Sequence, residues 1–245
     1  MVSSVLKLLL VGAASISSVG AFSPSKFSTR HGSTTSIYMG WGPDPIWTTS
    51  EIKTNDSANK AATSIAVTVD VSPETAQEYK FPGQYVQVKQ NEEGKPLFLA
   101  IASAPDAENA KFDFLIKKTD DNAWLTTGGV EVSQVLGGGF PVKEELDNVV
   151  KYDFPCQNIL LFAAGSGIAP IRAAIESGEL KTSKSGGRTA RLYYGARTED
   201  DMCFVDKFSE WESMGIEVVP VLSQPSDTWK GRTGYVQNAL EEDGK

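Results

Sequence analysis

Histidine is almost missing from these 245 residues; only His31 occurs. It falls in a stretch read below as a removable leader, so the working protein would carry none. That excludes Ser-His-Asp and Cys-His nucleophilic catalysis and leaves no plausible zinc or haem site. If this protein is an enzyme, a cofactor carries the chemistry. Cysteine is scarce too. Cys156 and Cys203 stand far apart, without CxxC or metal-type spacing, and read as buried or free thiols. Basic charge is short: 23 Lys and Arg face 31 Asp and Glu, a net charge of −8. Such a balance argues against nucleic acid, which needs basic patches. It also makes acidic electron carriers awkward partners, because like charges slow encounter.

Acids are absent from residues 1 to 43, and that absence marks a leader. Val5 to Ala21 has an apolar centre, Leu8-Leu-Leu-Val11, then small residues, the shape of a signal peptide over 1–21 cleaved at Ala21-Phe22. It is too short and too broken by Ser and Gly for a transmembrane helix. Residues 22–39 are rich in Ser and Thr with Lys26 and Arg30, like a plastid transit peptide. Together they resemble the bipartite plastid leader of algae with secondary plastids, and the expected location is the plastid; secretion is the alternative. No transmembrane segment is expected in the mature chain. Trp41, Ile46 and Trp47 read as an arm packed against the domain that follows rather than a membrane anchor, since no basic amphipathic helix accompanies them.

What is present is clearest at Asn158 to Ile175. An apolar run, Ile159 to Ala164, suits a strand covered on both faces. Gly165 and Gly167 permit a tight turn and close ligand approach, and Pro170 suits a helix start. The free N–H groups of Gly165, Ser166, Gly167, Ile168 and Ala169, at the positive end of a helix, would attract an anion such as a pyrophosphate. A plain strand-to-helix connection is the alternative. Further on, Ala190 to Arg197 reads as a strand, Glu199 to Ser213 as a helix with Met202, Phe208 and Trp211 apolar, and Gly215 to Leu222 as a strand. This alternation is that of a parallel sheet, whose ligands gather at the carboxyl ends of strands. Gly195, Ala196, Arg197 and Ser223 lie at such ends. Upstream, Ser64–Asp70 alternates well, and Tyr85–Lys89, Leu97–Ser103, Lys111–Lys118 and Gly129–Val135 follow as β-like runs. Their spacing predicts an antiparallel barrel or sandwich. Residues near Lys143 to Pro155 make the domain boundary.

The chain resembles the ferredoxin–NADP reductase-like superfamily over about residues 46 to 240. Gly165-Ser-Gly-Ile-Ala-Pro170 is similar to its pyridine-nucleotide turn, and Phe81-Pro-Gly-Gln-Tyr-Val-Gln-Val88 to the strand before its flavin site. Phe98-Leu-Ala-Ile-Ala-Ser103, Leu192-Tyr-Tyr-Gly-Ala-Arg197 and Val219-Pro-Val-Leu-Ser-Gln-Pro225 most resemble the plant fruit-protein-like branch of FAD/NAD(P)-binding oxidoreductases. The resemblance implies two domains. Residues 40–150 would be an antiparallel β-barrel of the flavin-binding type, and 151–245 a parallel α/β domain for NADP or NAD. It implies FAD contacts at Ala100, Ile101, Ala102, Ser103 and Lys117, with Lys118 near phosphate, and an adenosine 2′-phosphate at Arg197, opposed by Glu199, Asp200 and Asp201.

Departures bear on the flavin. Leu97 stands where the family has the diphosphate-binding arginine, and Leu99 where it has the stacking tyrosine. Asp120 and Asp121 replace a Gly/Ser/Thr-rich helix start. Gly137-Gly-Gly-Phe140 allows either close ligand approach or a hairpin turn. The α/β domain lacks the family's later strand and Cys-Gly turn, so Ile159–Ala164 is expected to be an exposed sheet edge, from an incomplete gene model or awaiting a protein partner. Two functions are implied. One is a plastid flavin-dependent NAD(P)H oxidoreductase, passing hydride from nicotinamide to FAD and electrons to an unknown acceptor. The other is a non-catalytic structural or regulatory descendant.

Overall fold

The computed structural model describes residues 8–10, 45–125, 128–140, 143–146, 149–153, 158–185 and 188–244. The expected cleavage point at Ala21-Phe22, the transit-like segment, His31, Trp41 and Cys156 lie outside them. In chain order the strands are β1 (Leu8–Leu10), β2 (Trp47–Ser57), β3 (Ser64–Asp70), β4 (Tyr85–Lys89), β5 (Leu97–Ala100), β6 (Lys111–Lys117) and β7 (Gly128–Ser133). They continue as β8 (Lys143–Leu146), β9 (Val149–Asp153), β10 (Asn158–Ala164), β11 (Thr189–Ala196), β12 (Ile216–Leu222) and β13 (Arg232–Thr233). The helices are α1 (Pro73–Glu78), α2 (Ile168–Glu176), α3 (Phe208–Ser213) and α4 (Val236–Glu242).

Six antiparallel strands form a nearly closed barrel in the order β5-β4-β7-β2-β3-β6, drawn together at its ends by an Ile101–Phe114 bridge. Alternation fixes which side chains face in. In β3, Ile65, Val67 and Val69 are buried while Ala66 and Thr68 are half-exposed, and Val86, Val88, Phe112, Phe114, Val130 and Val132 complete the interior. The N-terminal arm expected around Trp47 is instead a barrel strand. β2 lies between β7 and β3, with Trp47 opposite Ser133. Its Thr, Glu, Lys and Asn residues hid it, because only Ile52 and Ser50 along it are buried.

The second layer is parallel, in the order β1-β10-β11-β12-β13. The edge expected to be exposed at Ile159–Ala164 is covered over Leu160–Phe162 in the full chain. Leu8–Leu10, a segment of the expected signal peptide, pairs in parallel with Leu160–Phe162 there. A buried edge strand presents unpaired N–H and C=O groups, and a short extended segment satisfies them. α2 covers one face through Ile168, Ile171 and Ile175, joined by Leu192 and Trp211. α4 covers the other, where Phe162 and Tyr193 stack at 5.4 Å and Ala239 is buried with them. β8 and β9 form a separate antiparallel pair within the stretch read as a boundary.

The helix expected over Glu199–Ser213 is shorter: a 3₁₀ turn at Val205–Lys207 leads into α3. Phe204 is left-handed at φ +57°, which no helix interior accepts. Its N–H is spent on the Ala58 carbonyl (3.2 Å) in the turn between β2 and β3. The same turn donates from Ala61 N–H to the Asp200 carbonyl (2.8 Å) and from Asn59 Nδ2 to the Asp201 carbonyl (3.1 Å). A tertiary contact between barrel and parallel sheet thus overrides the local helical pattern. A second tie runs from Arg172 on α2 to Asp113 on β6 at 3.1 Å.

Candidate functional site

The nucleotide turn has the expected local form. Ala164 ends β10 in extended backbone, Gly165–Gly167 make one 3₁₀ turn, and α2 begins at Ile168. Gly165 is left-handed at φ +52°, and a Cβ built there meets nothing within 4 Å. Backbone conformation, not crowding, therefore demands glycine at that position. Pro170 occupies the third helical position, where its missing N–H costs no intrahelical bond.

A cavity of about 390 Å³ opens at the carboxyl ends of β10, β11 and β12. Among the expected residues, Lys117, Gly165, Ser166, Gly195, Ala196, Arg197 and Ser223 line it together. Gly167, Ile168, Ala169 and Pro170 do not; they are buried and serve as the packed base of the turn. Residues without any local motif complete the wall. Thr63 and Ser64 come from the barrel, Asp201 and Cys203 from the loop before α3, and Gly234 to Gln237 from the start of α4. Only topology brings these together. Gly195 keeps α4 close, since a Cβ there would stand 3.1 Å from Val236 Cγ1. A wider opening, of about 820 Å³, lies at the amino ends of the strands, around Asn158, Thr189 and Gly215. That is the end of a parallel sheet where ligands do not gather.

Arg197 is 71% exposed at the cavity, with Asp201 at 3.9 Å. The three acids that follow it are engaged elsewhere in part. Asp200 pairs with Lys60 at 2.9 Å. Glu199 accepts from Ser226 Oγ at 2.7 Å, and Asp201 accepts from Thr198 Oγ1 at 2.9 Å. Beneath the turn, the Tyr194 hydroxyl donates to the Gly165 carbonyl at 3.3 Å and accepts from Cys203 N–H at 3.0 Å. Burial raises the Tyr194 pKa far above that of an ordinary phenol. The Cys203 thiol is also pushed up, first by burial, so it is an inert packed group rather than a nucleophile.

The barrel residues expected to touch a flavin are arranged differently. Ile101 and Ala102 are fully buried, and their amides are bonded to Gln84 and Asp113 carbonyls at 3.2 and 2.7 Å. The Ser103 hydroxyl accepts from Asp113 N–H at 3.1 Å. Ala100 is half-exposed and pairs with Tyr85. The Ile101 and Ala102 amides thus hold the barrel together and are not free for a phosphate, while the Ser103 hydroxyl keeps its own O–H to donate. Leu97 and Leu99 lie opposite Val88 and Val86, both fully buried, so they face the barrel interior and pack on its core. Residue 99 is therefore not a stacking position. The outward aromatic is Phe98, 66% exposed, with its ring 5.9 Å from that of Tyr85. Four positions on from Phe98, just past the end of β5, Ala102 packs into the core of the parallel sheet. The glycine run serves this arrangement: a Cβ on Gly137 would meet the Tyr85 ring at 2.9 Å, and one on Gly139 would meet Phe81 Cβ at 2.5 Å. Its close approach is to the chain itself.

An antiparallel barrel set against a parallel sheet, with a glycine turn and cavity between them, defines a two-domain reductase architecture. Residues 161–245 match the family described as "Oxidoreductase NAD-binding domain". "Fruit protein pKIWI502" of Actinidia deliciosa is 32% identical over 216 residues, 83% of this chain and 64% of that protein. "CDP-6-deoxy-L-threo-D-glycero-4-hexulose-3-dehydrase reductase" of Yersinia pseudotuberculosis is 27% identical over 77% of this chain and 55% of its own length. The chain thus spans about half to two-thirds of these two relatives. In structure it is similar to a ferredoxin NADP+ reductase from Neisseria gonorrhoeae with bound FAD and NADP. That match has a TM-score of 0.61 and 16% identity, covering 80% of this chain and 76% of that one. The fold is that of the ferredoxin–NADP reductase-like superfamily, and the match to the oxidoreductase NAD-binding family is carried by residues 161–245.

Proposed function

We propose that the protein is a flavin-dependent NAD(P)H oxidoreductase that takes hydride from a nicotinamide nucleotide onto FAD and passes electrons to a further acceptor. The observation that carries this reading is the single cavity in which Gly165 and Ser166, the strand ends at Gly195–Arg197 and Ser223, and Lys117 of the barrel meet. The turn offers N–H groups and a helix dipole for a diphosphate, and Arg197 an exposed cation for the adenosine end. Lys117 adds positive charge from the barrel side. The flavin, when bound, supplies the redox chemistry; the chain binds and orients. The "NAD(P)H-flavin reductase" of Vibrio harveyi, 26% identical over 70% of this chain, agrees with such a role. A plastid location is supported by the leader composition alone, and the acceptor is a partner of unassigned chemistry.

The flavin fit is uneven. No cation stands at Leu97, and the Ile101 and Ala102 amides are already used. The exposed Phe98–Tyr85 pair offers the ring an aromatic surface. The missing cation favours a second reading, a non-catalytic descendant that keeps the nucleotide cavity. A visible spectrum of the purified chain, with heat release of the chromophore, separates the two. Near-stoichiometric flavin, weakened by Phe98→Ala and accompanied by NADPH oxidation with a dye acceptor, is the expected result. A colourless, folded protein that takes up no added FAD sinks the oxidoreductase reading and leaves the second.

A further inference from the structure

We propose that the Tyr194 hydroxyl positions the nucleotide turn, holding the Gly165 carbonyl inward so that the Ser166 N–H is presented to the diphosphate of a nicotinamide nucleotide. This rests on the nucleotide reading above. Tyr194 lies on β11, fully buried in the apolar cluster under α2. Its ring packs edge-on to Phe208 at 6.2 Å, a contact that phenylalanine would make equally well. The hydroxyl is thus the part of the residue that packing does not explain. It has two partners. It donates to the Gly165 carbonyl at 3.3 Å and accepts from the Cys203 N–H at 3.0 Å.

The first contact bears directly on ligand binding. The Gly165 carbonyl also accepts from Ile168 N–H, which closes the 3₁₀ turn. Two donors therefore hold that oxygen on the protein side. No peptide among the described residues is cis, and in a planar trans peptide the C=O and the next N–H point in opposite directions. Fixing Gly165 C=O inward turns Ser166 N–H outward, and Gly165 and Ser166 both line the cavity. A left-handed glycine left to itself has broad backbone freedom, so an orientation useful to an anion needs this restraint.

The second contact extends the restraint to the barrel. Cys203 precedes Phe204, whose N–H reaches the Ala58 carbonyl beyond the end of β2. One phenolic oxygen therefore ties the turn to the loop that meets the barrel. Tyr194 is a positioning residue, acting through Gly165 and never touching the ligand.

The test is Tyr194→Phe in the full chain, titrated by NMR with ADP-ribose, which carries the diphosphate, and with adenosine, which does not. The expected result is a Kd for ADP-ribose raised about 5- to 10-fold, the scale of one ordinary hydrogen bond, with adenosine changed less than about twofold. Equal loss for both ligands, or none for either, overturns the role, because general loosening would not discriminate between them. Should the variant fail to fold, wild-type protein still decides. ADP-ribose must shift the Ser166 amide resonance and adenosine must leave it in place; a silent Ser166 amide overturns the proposal. Wild-type protein that binds neither ligand overturns the nucleotide reading itself and this role with it. Binding of both with an unaffected variant removes the Tyr194 role alone.

Discussion

Arg172 makes a largely buried ion pair between the two halves, and replacing it with methionine tests how they are held. Its guanidinium lies 3.1 Å from Asp113 on β6 and 3.0 Å from Glu176 on its own helix, and 4.9 Å from the centre of the Phe204 ring. Burial alone would lower its pKa, but the bonds and charges of Glu176 and Asp113 outweigh that and hold it raised. Exposures of 14%, 26% and 17% for Arg172, Asp113 and Glu176 decide the magnitude. Breaking a fully buried pair costs ~3–5 kcal/mol, and an exposed pair contributes ~0–1 kcal/mol. Both carboxylates keep another donor, Thr68 Oγ1 for Asp113 and Trp211 Nε1 for Glu176, which softens the loss. Arg172→Met should therefore destabilise by about 2–3 kcal/mol, since it keeps the stem packing and removes only the charge. Urea unfolding of wild type, Arg172→Met, Asp113→Asn and the double variant would measure it. A coupling of about 1–2 kcal/mol between positions 172 and 113 is expected. A loss below about 0.5 kcal/mol, or strict additivity, would refute the view that this pair fastens barrel to sheet.

Two further outcomes follow from the site. Arg197→Ala should weaken NADPH at least about 10-fold while leaving NADH nearly unchanged, since a paired phosphate contact is a strong charge-assisted one; equal effects on both would remove the 2′-phosphate role. The pH dependence has a defined sign. Burial is the first cause raising Tyr79, Tyr194 and Cys203 in the folded state. Their contribution is fully present below the ordinary values of the unfolded chain, 9.0 for the thiol and 10.0 for the phenols, and is lost as pH climbs beyond them. Melting temperatures should hold steady between about pH 7 and 8.5 and fall above about pH 9. Stability that rises on the alkaline side would contradict the burial of these groups.

Strand alternation, the glycine turn and the βαβ order are local properties, and they suffice for the barrel-plus-parallel-sheet class and the turn at Gly165–Pro170. Ser64–Asp70 and Tyr85–Lys89 are legible because one face of each must be apolar. What the tertiary structure decided depends on contacts distant in sequence. Trp47–Ser57 became a barrel strand because β3 and β7 pair with both of its edges, whatever its polar residues suggest. The Glu199–Ser213 helix was cut short because Phe204 bonds to Ala58. Residue 99 turned inward because cross-strand pairing with Val86 fixes its face, and one step of register exchanges the faces of a strand. The cavity wall drew on Thr63, Cys203 and Tyr235, residues that share no motif. Periodicity reports which surface a segment buries; only the folded chain settles what that surface is buried against.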